Sequence, residues 1–292
     1  MGPELIATFP SDTKPWGTNV DWERKAVHAD DGTELAAWSS GAPDGAPIVF
    51  VHGFSLDRTT WHPVAEILAG QGFRVITTDI RGHGESALGS AQPTLDRLVD
   101  DIADVLAAFD LSAAHLVGHS LGGVIVLSGR VNKRLKGSIL SVTSIAGTEQ
   151  ALQNPLMKLG SRLLSSRFGL WLLRRPRSGR AIISTWFAEN PATADVDWIR
   201  KLSASCERAT RSAVTSATSD MDLRPTFPTP GPPTLVISGQ GDKATSPKVS
   251  KRIAAAIDGA ELHLVEDAGH MVIIEKPDII AELVTSRIQR LT

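Results

Sequence analysis

The chain has 292 residues, 30 of them Lys or Arg and 32 Asp or Glu, for a net charge of −2. That balance leaves no electrostatic footprint for nucleic acid, and no stretch approaches the roughly 18 uninterrupted apolar residues of a membrane span. The single cysteine, Cys206, excludes an intrachain disulfide and a cysteine-based metal cluster. The start, Met1-Gly2-Pro3-Glu4-Leu5-Ile6, lacks the basic region and apolar run of an export signal, so the expected location is cytoplasmic.

The first residues, with Pro3, Pro10, Pro15 and Gly17, read as an extended arm. Trp22 to Ala29 and Thr33 to Trp38 alternate as two strands about the turn Asp30-Asp31-Gly32, a hairpin. Ile48-Val49-Phe50-Val51 is an unbroken apolar run, the pattern of a strand covered on both faces, and it ends in His52-Gly53-Phe54. A helix is expected over Thr59 to Leu68. A strand follows over Phe73 to Thr78, ending at Asp79 and the turn-rich Arg81-Gly82-His83-Gly84-Glu85-Ser86. Leu95, Leu98, Val99, Ile102, Leu106 and Phe109 keep helical spacing from Thr94 onward. Next come a strand over Ala114 to Val117, an apolar helix through Val124 to Leu127, and a strand over Ser138 to Ile145. Strand and helix in alternation imply a parallel sheet with helices on both faces and loops gathered at the strand C-terminal ends.

That rhythm stops between about Gly147 and Thr218, where helical stretches are expected around Leu156 to Leu173, Gly179 to Phe187 and Asp195 to Ala217. They read as a helical lid inserted over the active edge of the sheet. Pro225 to Pro233 links back to a strand at Thr234 to Ser238; a helix (Pro247 to Ile257), a strand (Glu261 to Val265) and a helix from Pro277 close the chain. The expected division is a core over residues 1–146, a cap over 147–224 and the rest of the core over 225–292.

Gly118-His119-Ser120-Leu121-Gly122 lies where a buried strand turns into a helix, the pattern of a nucleophile elbow. Its glycines let neighbouring backbone approach closely, and a helix N-terminus aims the Leu121 N–H at an oxyanion formed beside Ser120. An acyl-transfer serine also needs a base, an acid that orients the base, and a second N–H donor. Asp242 follows one strand, His270 follows the last, and Phe54 follows the Val49-Phe50-Val51 strand, so all are expected at the strand ends where Ser120 sits. Asp242 is taken as the orienting acid, with Glu149 the alternative; Asp267 reads as a surface residue. His52 reads as a buttress of its loop, and His83, His115, His119 and His263 as loop or core residues. No metal-binding spacing appears and no cofactor is called for.

With these residues in view, the chain resembles the α/β-hydrolase superfamily over essentially its whole length. The resemblance rests on His52-Gly53-Phe54, Asp79 with Arg81-Gly82-His83-Gly84-Glu85-Ser86, Gly118-His119-Ser120-Leu121-Gly122-Gly123, Asp242 and Gly269-His270. It implies an α/β fold with a mostly parallel eight-stranded sheet, helices on both faces and a helical cap after the sixth strand. The single-residue Phe54 form of the oxyanion loop resembles the esterase, lipase, lactonase and haloperoxidase-like branches. Ser120 argues against the epoxide hydrolase and dehalogenase relatives, which carry aspartate at the elbow. The expected activity is hydrolysis of carboxylic esters. Lactonase, thioesterase, carbon–carbon hydrolase, cofactor-free haloperoxidase or perhydrolase, and non-catalytic receptor stay open as alternatives.

In the lid no acidic residue lies between Glu149 and Glu189, while Lys158, Arg162, Arg167, Arg174, Arg175, Arg177 and Arg180 alternate with leucines. The preferred reading has the leucines lining an apolar acyl pocket and the cations in water; a surface docking on anionic lipid is the other. Trp61, Trp186 and Met271 are the expected substrate contacts, with Trp198 also within reach, and the expected partner is a small apolar ester.

Overall fold

A computed structural model of the chain describes residues 20–151, 163 and 165–291. The expected N-terminal arm and the first part of the expected Leu156 to Leu173 stretch, with Lys158 and Arg162, lie outside the described residues.

The eight strands are β1 (Glu23–His28), β2 (Glu34–Gly41), β3 (Pro47–Val51), β4 (Arg74–Thr78), β5 (Ala114–His119), β6 (Ile139–Ile145), β7 (Thr234–Gly239) and β8 (Glu261–Val265). They form one sheet in the order β1-β2-β4-β3-β5-β6-β7-β8. β2 runs antiparallel to both β1 and β4, and all the other pairs are parallel. This is the expected mostly parallel, eight-stranded sheet. β2 continues past the expected Trp38 because Gly41 pairs with Arg74; with φ at +82° and Phe73 O where a Cβ would sit, that position suits only glycine.

The unbroken apolar run of β3 is explained by what covers it. Ile48 and Phe50 point into one core with Val64, Ala65 and Leu68 of α1 (His62–Gly70) and with Ile280, Ala281 and Val284 of α10 (Pro277–Gln289). Val49 and Val51 point into the other with α2 (Leu95–Ala108) and α3 (Leu121–Gly129). Alternation at period two therefore serves both faces of one buried strand. Asp57 starts the turn Arg58–Trp61 that feeds α1, accepting from Thr59 N at 2.8 Å, and Thr94 caps α2 by accepting from Arg97 N at 3.1 Å.

Between β6 and β7 the described residues form α4 (Arg167–Arg174), α5 (Pro176–Ser184), α6 (Thr193–Ser205) and α7 (Arg208–Ala217). Leu170, Leu173, Ile183, Phe187, Val196 and Ile199 press this cap onto the sheet's core. The single helix expected over Asp195 to Ala217 is two: Cys206 (φ −60°, ψ 122°) and Glu207 (φ −65°, ψ 150°) are extended. Arg211 holds the break, its Nε donating to Cys206 O at 3.2 Å and its Nη2 to Ser203 O. Those carbonyls belong to the end of α6, where a cation is favourable. After β7 come α8 (Pro247–Ala256), the short α9 (Val272–Glu275) and α10.

Candidate active site

The strand register assembles the site. Val51 of β3 pairs with Gly118 of β5, Gly118 with Ser144 of β6, Ile145 with Ile237 of β7, and Gly239 with Val265 of β8. The residues that follow each strand thus emerge side by side at one sheet end: Phe54, Ser120, Ala146, Asp242 and His270.

At the elbow Ser120 has φ +53° and ψ −112°, a strained conformation for a residue with a Cβ. It is held there by donating its N–H to Ile145 O at 2.8 Å and accepting from Val124 N at 3.1 Å. The flanking glycines meet their expectation in detail. A Cβ on Gly118 would stand 2.1 Å from Gly122 O, and one on Gly122 would stand 2.0 Å from Val51 O. Ser120 is half-exposed. Its Oγ lies 3.0 Å from His270 Nε2, and His270 Nδ1 lies 2.9 Å from Asp242 Oδ2. With the proton on Nδ1, the ring donates to Asp242 and accepts from the serine hydroxyl, which is the arrangement of a general base.

Asp242 is fixed from its other side. Its Oδ1 accepts from Ala244 N at 2.8 Å and Thr245 N at 2.9 Å, and the Thr245 hydroxyl is 2.8 Å from both Asp242 Oδ2 and Ala146 O. Burial by itself raises the Asp242 pKa, but the hydrogen bond and charge of His270, with the Thr245 donors, outweigh it and hold the carboxyl below its ordinary value. Asp242 is thus an anion facing the imidazole at neutral pH. Glu275 clamps the same region: Oε2 accepts from Gly269 N at 2.9 Å and Oε1 from Ala188 N at 2.6 Å, joining the His270 loop to the cap. Met271 N donates to Trp186 O at 3.0 Å.

Neither the Phe54 nor the Leu121 backbone N–H donates to an acceptor among the described residues, and both residues line the cavity beside Ser120. They are open donors where an oxyanion would form. His52 does brace this loop: Nδ1–H donates to Gly53 O at 2.8 Å and Nε2 accepts from Ile80 N at 2.9 Å. His83 donates to Arg81 O and accepts from Ser55 N, both at 3.1 Å. His119 donates from Nε2 to His270 O at 2.8 Å. Burial holds all three neutral, lowering His52 to about 4 and His83 and His119 to about 3. His115 is buried on β5, whereas His263 is exposed on β8 and belongs to neither a loop nor the core.

The cavity at Ser120 has a volume of about 610 Å³ and is roofed by the cap. Trp186 and Met271 line it with Leu56, Val124 and Leu173. Trp61 does not. It is 0% exposed, with its ring 4.9 Å from that of Phe50, because the turn leading into α1 points it into the core behind the elbow. Trp198 likewise packs against the core cluster and not the cavity. Glu149 is buried in an ion pair with Arg252 at 2.5 Å and makes no bond to His270, while Asp267 is an exposed turn residue with φ +49°.

In α4, Leu170 and Leu173 face inward and Arg167 and Arg174 outward, but Phe168 and Trp171 stack on each other 56% and 49% exposed. Among the described residues no three His, Cys, Asp or Glu side chains are grouped to hold a metal ion, and no helix is long and apolar enough to cross a membrane. Thr245 and Glu275 are site residues that the sequence reading passed over. The spacing Asp242 to Thr245 is the available signal for the first, since an aspartate readily accepts from N–H groups two and three residues on; Glu275 carries none.

A family model described as "Alpha/beta hydrolase family" matches residues 48–283. The dihydrolipoyllysine-residue acetyltransferase component of the acetoin cleaving system of Pseudomonas putida is 30% identical over 254 residues, 85% of this chain and 65% of that protein. The chain therefore spans less than two thirds of that relative's length. Among solved structures, the enol-lactonase from Burkholderia xenovorans LB400 superposes with a TM-score of 0.81 at 25% identity, covering 91% of this chain and 100% of that one. A thermophilic esterase from Thermogutta terrifontis gives 0.78 at 26% identity, covering 92% and 99%.

Proposed function

Because the chain belongs to the alpha/beta hydrolase family, we propose that it is a serine hydrolase that cleaves carboxylic esters through an acyl-enzyme on Ser120. The observation that carries this reading is the continuous relay from Ser120 Oγ to His270 Nε2 at 3.0 Å and from His270 Nδ1 to Asp242 Oδ2 at 2.9 Å. His270 takes the hydroxyl proton as Ser120 Oγ bonds to the ester carbonyl carbon. The carbonyl oxygen becomes an anion held by the Phe54 and Leu121 N–H groups. The C–O bond to the alcohol then breaks and the alcohol leaves with the proton from His270. Water, deprotonated by His270, repeats the steps on the acyl-enzyme and frees Ser120. Asp242, anionic and fixed by Thr245, keeps the imidazole in the tautomer that accepts from serine and stabilises the imidazolium formed in passing.

The acyl part is assigned to the apolar walls formed by Leu56, Val124, Leu173, Trp186 and Met271. The names of the structural relatives, an enol-lactonase and an esterase, support substrates with a carboxylic ester bond, and a lactone is opened by the same steps. The test is hydrolysis of p-nitrophenyl esters with acyl chains of two to sixteen carbons by the parent and Ser120→Ala. A rate peaking at short or medium chains and lost in Ser120→Ala is expected. Equal rates in the two proteins would overturn the mechanism.

A further inference from the structure

α7 turns one face to the cavity: Arg211, Val214, Thr215 and Thr218 all line it, at the i, i+3, i+4, i+7 spacing of a single helical stripe. Arg211 is the only cation on that stripe and is 2% exposed. Three other buried guanidinium groups meet carboxylates. Arg81 lies 2.8 Å from Asp31 and 2.6 Å from Asp101, Arg200 lies 3.1 Å from Asp197, and Arg287 pairs with Glu261. Arg211 meets none among the described residues. Asp220, the one carboxylate among the lining residues, is exposed and makes no ion pair with it. Arg130 also lacks a carboxylate, but it sits at the end of α3 and does not line the cavity.

The bonds that Arg211 makes leave part of it unused. Nε donates to Cys206 O at 3.2 Å; Nη2 donates to Ser203 O and, at 3.2 Å, to Ser203 Oγ. The two N–H bonds of Nη1 have no acceptor among the described residues, and a guanidinium carries five such donors in a fixed plane. The group is also tied to the catalytic end of the cavity. Its central carbon is 5.8 Å from the centre of the Phe54 ring, and Ser203 Oγ is 3.1 Å from Ser55 Oγ, the residue after Phe54. A cation buried without a counter-ion is costly, and burial holds the Arg211 pKa below its ordinary value. The α6 carbonyls offset part of that cost, and the free Nη1 edge is where an anion from outside the chain would offset more.

We propose that Arg211 binds a carboxylate of the substrate, so that the esters or lactones best cleaved here carry an acidic group beside an apolar body. This rests on the hydrolase reading above. Arg211 puts one buried positive charge on walls whose single carboxylate, Asp220, is exposed, and so matches a single negative charge; a phosphate dianion would leave a second one buried and unpaired.

Two pairs of esters test it. Mono-p-nitrophenyl glutarate against p-nitrophenyl pentanoate places the acid on the acyl side, and 4-carboxyphenyl pentanoate against phenyl pentanoate places it on the alcohol side. In at least one pair the parent favours the acidic member. The ratio of kcat/KM for acidic over neutral ester then falls about 30-fold or more in Arg211→Met, mainly through KM, and recovers partly in Arg211→Lys. Ratios that stay put while both rates fall together would make Arg211 only a brace between α6 and α7 and overturn the proposal, as would a parent that prefers the neutral ester in both pairs. Binding of glutaramate, the half-amide of glutarate and a single anion, to Ser120→Ala and to Ser120→Ala/Arg211→Met, followed by calorimetry and thermal melting, separates this from the mechanism. Binding to the first and not the second upholds the Arg211 site even where Ser120→Ala hydrolyses esters like the parent. Equal binding or none, in variants that melt cooperatively, overturns the site and leaves the Ser120 mechanism standing.

Discussion

Gly122→Ala tests how the elbow is held against the neighbouring strand. The added methyl would meet Val51 O at 2.0 Å, Val51 C at 2.6 Å and His52 O at 2.8 Å, where ordinary contact begins near 3.4 Å. All three are backbone atoms, so no side chain can swing away. The first turn of α3 and the end of β3 must part by more than an ångström. Leu121 lies on one side of that gap, and Phe54, three residues beyond Val51, on the other, so the two oxyanion donors are driven apart. A misplacement of about 1 Å costs on the order of 100-fold in rate. Overpacking of this kind costs about 1–3 kcal/mol, set against less than about 1 kcal/mol gained from helix propensity. Gly122→Ala is therefore expected to fold with stability lowered by about 1–2 kcal/mol and to lose about 100-fold in kcat/KM on p-nitrophenyl butyrate. Urea unfolding and steady-state kinetics measure the two. Gly70→Ala is the control, because a Cβ there meets nothing within 4 Å at the exposed end of α1. If Gly122→Ala kept its activity within threefold of the parent, the close contact of elbow and strand would not set the oxyanion geometry.

Asp242→Asn keeps the shape of the side chain but removes the anion facing His270; a loss of about 1,000- to 10,000-fold in kcat, read with p-nitrophenyl esters, is expected. Thr245→Val deletes the hydroxyl 2.8 Å from both Asp242 Oδ2 and Ala146 O, so kcat should fall about tenfold with KM nearly unchanged, and an unchanged kcat would show that Asp242 needs no such support. His52, His83, His115 and His119 are neutral in the fold, with pKa values lowered by burial from 6.5 to about 4, 3, 4 and 3. The unfolded chain binds their protons first, so the stability they contribute is whole above pH 6.5 and is lost as pH falls toward 3–4, at up to about 1.4 kcal/mol per pH unit for each. Urea unfolding at pH 7.5 and 5.0 reads this as a lower midpoint in acid; equal midpoints would contradict it. Arg81→Met takes one partner each from Asp31 and the buried Asp101, which keeps Arg97 Nε at 3.0 Å, and a loss of up to about 3 kcal/mol in urea unfolding is expected.

What could be read from the sequence divides along physical lines. The strands were legible because a parallel sheet needs unbroken apolar runs, and Ile48 to Val51 and Thr234 to Ser238 have them. Ser120, Asp242 and His270 were legible because each lies directly after a strand, and strand ends share one edge of the sheet whatever the loops do. Side-chain direction was not. Trp61 and Trp186 are both tryptophans next to helices, yet the turn at Arg58–Trp61 aims one into the core while the end of α5 leaves the other on the cavity. The break at Cys206 was hidden because helix propensity continues through it; a long-range fact, Arg211 reaching back to Ser203, decides it. The surroundings of Arg211 were hidden for a related reason: only the fold shows that this arginine is buried and that no carboxylate pairs with it among the described residues.

An acyl-enzyme at Ser120 is the step on which the proposed activity depends. Incubation of the parent with a fluorophosphonate, followed by intact mass measurement and peptide mapping, tests it most directly. One adduct per chain, mapped to Ser120, absent in Ser120→Ala and formed far more slowly in Asp242→Asn, is the predicted result. An unmodified chain that still hydrolyses esters, or an adduct on another residue that abolishes activity, would contradict it.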